Sequence, residues 1–159
     1  VQLGRWDMAV KEMAEGVDLV SAGDGPTAAN VPADFWRLLV QLAESQLELG
    51  DLQRATEHSA AALEQARRND SVIGQARCHF VLSRVLDKQR NTDAAERHHA
   101  AAVSAFRQLG DRQSAAECLL SRAMKCPDRS QDLIEQALAL SKQVAWSEGI
   151  RTATSLLAG

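Results

Sequence analysis

Along most of this chain small and apolar residues return at intervals of three and four, as at Leu39, Leu42, Ala43 and Gln46, or at Leu82, Ser83 and Leu86. Such spacing lays one apolar stripe along an α-helix, whereas a half-buried strand would alternate at every second residue. The stripes stop at marked places. The clearest is Leu49-Gly50-Asp51-Leu52, where Gly50 can take the left-handed conformation that ends a helix and Asp51 opens the next, whose first buried residue is expected to be Ala55. Stripes and stops together predict eight helices: Arg5 to Ala22, Pro32 to Leu49, Leu52 to Arg68, Val72 to Gln89, Asp93 to Leu109, Arg112 to Lys125, Ser130 to Val144, and Ser147 to Leu157.

Laid over itself, the chain shows a period. Placing Leu42-Ala43 on Leu82-Ser83 brings Ala55 onto Ala95, His58 onto His98, Ala62 onto Ala102 and Leu63 onto Val103, all at a spacing of 40. Gly4 to Ala9 lies over Gly50 to Ala55 at a spacing of 46, the added length falling in the Gly- and Pro-containing stretch from Ser21 to Ala33. Leu82-Ser83-Arg84 fits Leu120-Ser121-Arg122 at 38, and Ala102-Val103 fits Ala137-Leu138 at 35 across the turn Lys125-Cys126-Pro127-Asp128. Gly149 to Leu157 sits over Gly74 to Leu82. One domain over 1–159 is expected, with a half repeat at 1–22, hairpins at 32–68, 72–109 and 112–144, and a half repeat at 147–159. Because it begins at Val1 and both ends are half repeats, the chain reads as a piece of a longer protein.

These positions resemble the tetratricopeptide repeat family. The best copy supplies Leu39, Leu42, Ala43, Gln46, Gly50, Ala55, Ser59, Ala62 and Leu63 at the family's large, small and turn positions. Gln46 and Ser59 depart from it, standing where the family prefers aromatics, as do His99 and Ile134 in later copies, and the period is nearer 40 than 34. With Phe106 to Arg112 between hairpins, the copies look like the degenerate repeats of bacterial regulators, signalling ATPases and eukaryotic assembly scaffolds. The resemblance implies an all-α, right-handed superhelix of antiparallel hairpins. The physical argument agrees, since one hairpin cannot cover its own apolar face and stacked copies bury a continuous core.

Composition adds boundaries. Three prolines, three phenylalanines and no tyrosine suit helix better than sheet. A net charge of -3 with 25% charged residues of both signs sets up no global field toward nucleic acid or membrane, so neither is an expected partner. Apolar runs of only a few residues predict no bilayer span. Cys78, Cys118 and Cys126 are an odd number without metal spacing, which favours free thiols and a cytoplasmic setting, with any targeting signal outside the piece.

Candidate chemistry is sparse. His98-His99 points two ways on a helix, whereas two ligands on one face need a spacing of three or four. His58 and His98, in register, are expected on the surface of second helices. Cys78 and Cys118, forty apart in successive first helices, read as packing thiols. Trp36 and Trp146 read as ring caps on repeat edges, with Trp6 a third aromatic candidate. Gly23-Asp24-Gly25-Pro26 is too short for a phosphate loop and lacks a following Lys and Ser or Thr. No cofactor, metal or enzymatic activity is expected.

In the family the first helices line a concave groove. By register, Arg37, Gln41 and Glu44, then Arg77, Arg84 and Lys88, then Arg122 with Lys125 are expected to face it, Arg84 and Arg122 forming a ladder at one repeat position. Guanidiniums suit carboxylates and phosphates, so an acidic peptide is the expected partner. The competing reading is that these are solvated charges balanced by Glu44, Asp87 and Glu117. The family's clamp for chaperone tails is not implied, because Val40, Glu44 and Phe80 stand where it requires Lys or Asn. The sequence thus predicts a protein or peptide scaffold that associates with itself or continues through its terminal repeats. The alternative is a ligand- or peptide-sensing module of a larger transcriptional regulator or signalling ATPase.

Overall fold

Among the described residues one turn is used five times to end a helix. A computed structural model describes residues 32–126 and 130–158. At Gly50, Asp70, Arg90, Gly110 and Ala145 the backbone takes a positive φ of 82°, 50°, 61°, 72° and 52°. In each case the following amide reaches five residues back: Asp51 N to Gln46 O at 2.9 Å, Ser71 N to Ala66 O at 2.8 Å, Asn91 N to Leu86 O at 2.9 Å, Asp111 N to Phe106 O at 2.9 Å, and Trp146 N to Ser141 O at 2.9 Å. Together with a bond from each left-handed residue to the carbonyl three back, this is the Schellman closure, which satisfies carbonyls that a helix end leaves open.

The residue after each turn starts the next helix. Asp51 Oδ1 accepts from Arg54 N at 3.1 Å, Ser71 Oγ from Gly74 N at 3.1 Å, Asn91 Oδ1 from Ala94 N at 3.4 Å, and Asp111 Oδ1 from Ser114 N at 3.0 Å. Each satisfies an amide of the first turn. Trp146, in the fifth turn, has no side-chain oxygen to offer. The first four left-handed residues are spaced twenty apart, so helix and turn together form a twenty-residue half repeat.

The helices are α1 (Phe35–Leu49), α2 (Leu52–Arg68), α3 (Val72–Lys88), α4 (Thr92–Gln108), α5 (Arg112–Ala123), α6 (Ser130–Gln143) and α7 (Ser147–Ala158). The fold is all-α, with no strand among the described residues. The predicted boundaries hold to within three residues. α1 begins later than Pro32 because the turn at 33–34 precedes it, the Phe35 amide bonding the Pro32 carbonyl at 3.0 Å. The predicted helix from Arg5 to Ala22, Trp6, and the Gly23 to Pro26 loop lie outside the described residues.

The chain divides after Ala95 into two compact units. In the first, α2 packs on both α1 and α3, and α1 also meets α3. Ala55, Ala62 and Ala66 run along one side of α2 with no exposed surface, giving the neighbouring helices a close approach. Trp36, Leu39, Leu42, Leu47, Val81, Leu82 and Val85 fill the space between them, each contributing about 1.5–3 kcal/mol relative to exposure. Trp36 is buried, and a Cβ added at Gly74 would lie 2.9 Å from its ring, from Ala66 Cβ and from Ser71 Oγ. Gly74 thus lets α3 approach the indole.

The second unit repeats this internal plan with α6 packed on α5 and α7, and α5 meeting α7. Its core holds Phe106, Ala115, Ala116, Cys118, Leu119, Leu120, Ile134, Ala137 and Ala153. At the start of α7 Gly149 sits close to the half-buried Trp146: a Cβ there would lie 2.1 Å from its ring. Leu42, Leu82 and Leu120, which align in the repeats, are all buried. Among the described residues no helix is long and apolar enough to cross a membrane.

Candidate functional site

Residues 37, 41, 44 and 48 of α1, and 77, 80, 84 and 88 of α3, recur at three and four and so form one face on each helix. In the first unit these faces adjoin. Arg84 Nη2 donates to Glu48 Oε1 at 2.9 Å, Arg84 Nη1 lies 3.6 Å from Glu44 Oε1, and the same guanidinium sits 5.9 Å from the centre of the Phe80 ring. The pairs are solvated, with 31% of the Arg84 side chain exposed, so they contribute at most about 1 kcal/mol to stability. They do fix where the guanidinium points.

Around this neutralised centre the cations are open. Arg37 is exposed and stacks on Trp36, its Cζ 5.0 Å from the ring centre. Gln41, Arg77 and Lys88 are exposed as well, and no carboxylate of the described residues lies within ion-pair distance of Arg37, Arg77 or Lys88. The six expected residues of the first unit therefore share a surface. Glu48 belongs to it too; its spacing of four from Glu44 is the signal that would have added it.

The second unit does not extend the list as expected. Arg122 is 4% exposed, and its guanidinium is engaged by the Glu96 carboxylate, Nε donating to Oε2 at 2.9 Å and Nη2 contacting the same oxygen. It is a core residue, not a groove cation. The reason is register: α3 starts from Ser71 and α5 from Asp111, a spacing of forty, which sets Ala76 against Ala116, Cys78 against Cys118, and Leu82 against Arg122. Arg84 then corresponds to Met124, which is 60% exposed. Lys125 is exposed but lies beyond the end of α5, its amide bonded to the Arg122 carbonyl at 2.9 Å.

The histidines also differ from expectation. His58 is buried, not on the surface: its Nδ1 lies 2.8 Å from Gln46 Oε1 and 3.0 Å from the Arg54 carbonyl. Two acceptors require Nδ1 to carry the proton. Gln46, at 2% exposure, satisfies the ring, leaving its own Nε2 without a protein partner. His99, also buried, directs Nε2 to the Cys118 carbonyl at 3.0 Å, while His98 is half-buried. Among the described residues no group of three or more His, Cys, Asp or Glu side chains is placed to hold a metal ion.

Cys78 and Cys118 are fully buried in equivalent places, and Cys126 is half-buried, all three as free thiols. Burial pushes the Cys78 thiol up to about 12, which keeps it protonated and weakly nucleophilic. Comparison with family models, with curated proteins and with solved structures finds no match to this chain.

Proposed function

We propose that the chain is an interaction scaffold of tetratricopeptide-like repeats that binds an acidic protein or peptide segment across α1 and α3. The observation that carries this reading is the shared α1 and α3 face, on which Arg37, Arg77 and Lys88 keep cations in water beside Gln41 while Arg84 is held at the centre by Glu44 and Glu48. Such a surface offers several donors to an extended chain. The chemistry of an acidic partner follows from the open guanidiniums, which accept carboxylates in pairs of parallel hydrogen bonds. Five helix ends that close in the same way, those of α1 to α4 and α6, support the repeat architecture, because stacking calls for half repeats of one kind. The free thiols fit a reducing compartment such as the cytoplasm.

The test is a pull-down with the whole chain against the double variant Arg77→Glu and Lys88→Glu. Both positions are exposed, so helicity stays unchanged while captured partners are lost. Capture of the same proteins by the variant would remove this surface from the function.

A further inference from the structure

The second unit holds a cavity lined by residues of its own helices. The end of α4, the turn at Gly110, the start of α5 and the middle of α6 enclose an open cavity of about 290 Å³ lined by Arg107, Gly110, Arg112, Gln136, Ala139 and Leu140. A Cβ placed on Gly110 would meet nothing within 4 Å, so the turn stands clear of its surroundings. The lining is mostly hydrocarbon, and its two charged side chains are both cationic.

Those cations are held without an acid. Arg107 Nη2 donates to Gln136 Oε1 at 2.7 Å, and Gln136 Nε2 donates to Asp132 Oδ2 at 2.9 Å, so Gln136 presents its oxygen to the guanidinium and keeps it in place. One donor of five is thereby used. Arg54, Arg68, Arg84 and Arg122 each have a carboxylate within 4 Å, but among the described residues Arg107 and Arg112 have none. Two like charges lining one cavity repel, and an anion placed between them removes that repulsion.

The neighbouring surface narrows the anion. Ala139 and Leu140 offer apolar contact, which favours a ligand carrying hydrocarbon beside its charge. A space of about 290 Å³, open to solvent, has room for one aliphatic side chain with a carboxylate. An aspartate or glutamate side chain brings the carboxylate without a branched hydrocarbon. The last residue of a peptide brings both on one Cα.

We propose that this cavity binds the C-terminal residue of a peptide ending in Leu, Ile or Val, with the terminal carboxylate between Arg107 and Arg112 and the side chain on Ala139 and Leu140. The site does not rest on the α1 and α3 surface, so either can fail alone.

The experiment measures fluorescence anisotropy of the peptide Gly-Ser-Gly-Ser-Val-Leu, labelled at its N-terminus, with the whole chain. The free acid is expected to bind at least tenfold tighter than the C-terminal amide. Arg112→Gln, Arg107→Gln and Ala139→Glu, all at exposed positions, are each expected to weaken it tenfold or more with circular dichroism unchanged, while Arg77→Glu leaves it intact. Equal binding of acid and amide, no binding of either, or wild-type affinity in Arg112→Gln overturns the proposal. Displacement by octanoate at concentrations below those of unlabelled peptide overturns it in favour of a small amphiphile.

Discussion

Arg122 fills in α5 the place that Leu82 fills in α3, and it is tolerated there because Glu96, on the preceding helix, brings a carboxylate to it. The two partners are unequal: Arg122 is buried, whereas 48% of the Glu96 side chain remains exposed.

That inequality sets the response to mutation. Glu96→Gln takes one carboxylate away from a buried guanidinium and is expected to cost about 3 kcal/mol. Arg122→Met places a flexible apolar chain at a core position and leaves Glu96 in water, so it is expected to stay within about 1 kcal/mol of the wild type. Chemical denaturation of the two variants gives the order, and a larger loss in Arg122→Met would contradict it.

The turns make a second prediction. Arg90 adopts φ of 61° with a full side chain, a conformation that costs an ordinary L-residue roughly 1–2 kcal/mol. Arg90→Gly is therefore expected to raise stability by about 1 kcal/mol, a Tm gain of about 2–4 °C for a chain of this size. Asp70→Gly gains less, since aspartate tolerates this region better. Gly110→Ala loses about 1 kcal/mol although its Cβ has open space. Calorimetry of the three variants tests the set.

Gly149→Ala drives a methyl into the Trp146 ring and Ser141 Oγ, with ideal distances of 2.1 and 2.6 Å. A loss of about 1–3 kcal/mol is expected. In a Trp146→Ala background the same substitution costs less, because the main obstacle is gone. A thermodynamic cycle over the four proteins measures this coupling, and additive losses would place the clash elsewhere.

For Cys78 the folded thiol loses its proton near 12, against 9.0 ordinarily. Its folded pKa is the higher, so the unfolded chain ionises first as pH rises, and this contribution to stability is complete below pH 9 and lost between 9 and about 12. Cys78→Ala removes that part of the alkaline slope in denaturation measured across the window. In the native protein at pH 8 a thiol reagent is expected to modify Cys126 well before Cys78, read by mass spectrometry of the cleaved chain.

Much of the fold could be read from the stripes and from Gly50-Asp51 and Gly110-Asp111, where a left-handed residue and a cap are both of the expected type. Asp70 and Arg90 carry no such mark, because the closing bonds are made by backbone and impose the conformation on whatever side chain is present. The site was legible where charges recur at three and four, as in α1 and α3. Arg122 was misplaced because Leu119 and Leu120 can each imitate Leu82 in a stripe, whereas the caps Ser71 and Asp111 fix one spacing of forty for the whole helix. Its partner lies 26 residues earlier, a distance at which no helical periodicity connects two charges. The buried His58 was missed for a related reason: its acceptor Gln46 is on another helix.

The twenty-residue interval between left-handed residues also makes the chain modular at the level of its gene. A segment cut at two of these residues forty apart, such as Gly50 and Arg90, begins and ends in the same backbone state, so a tandem copy of it re-enters the next helix in phase. Lengthening by duplication then requires no new connector, and copies are free to diverge in their outward residues while the closure persists.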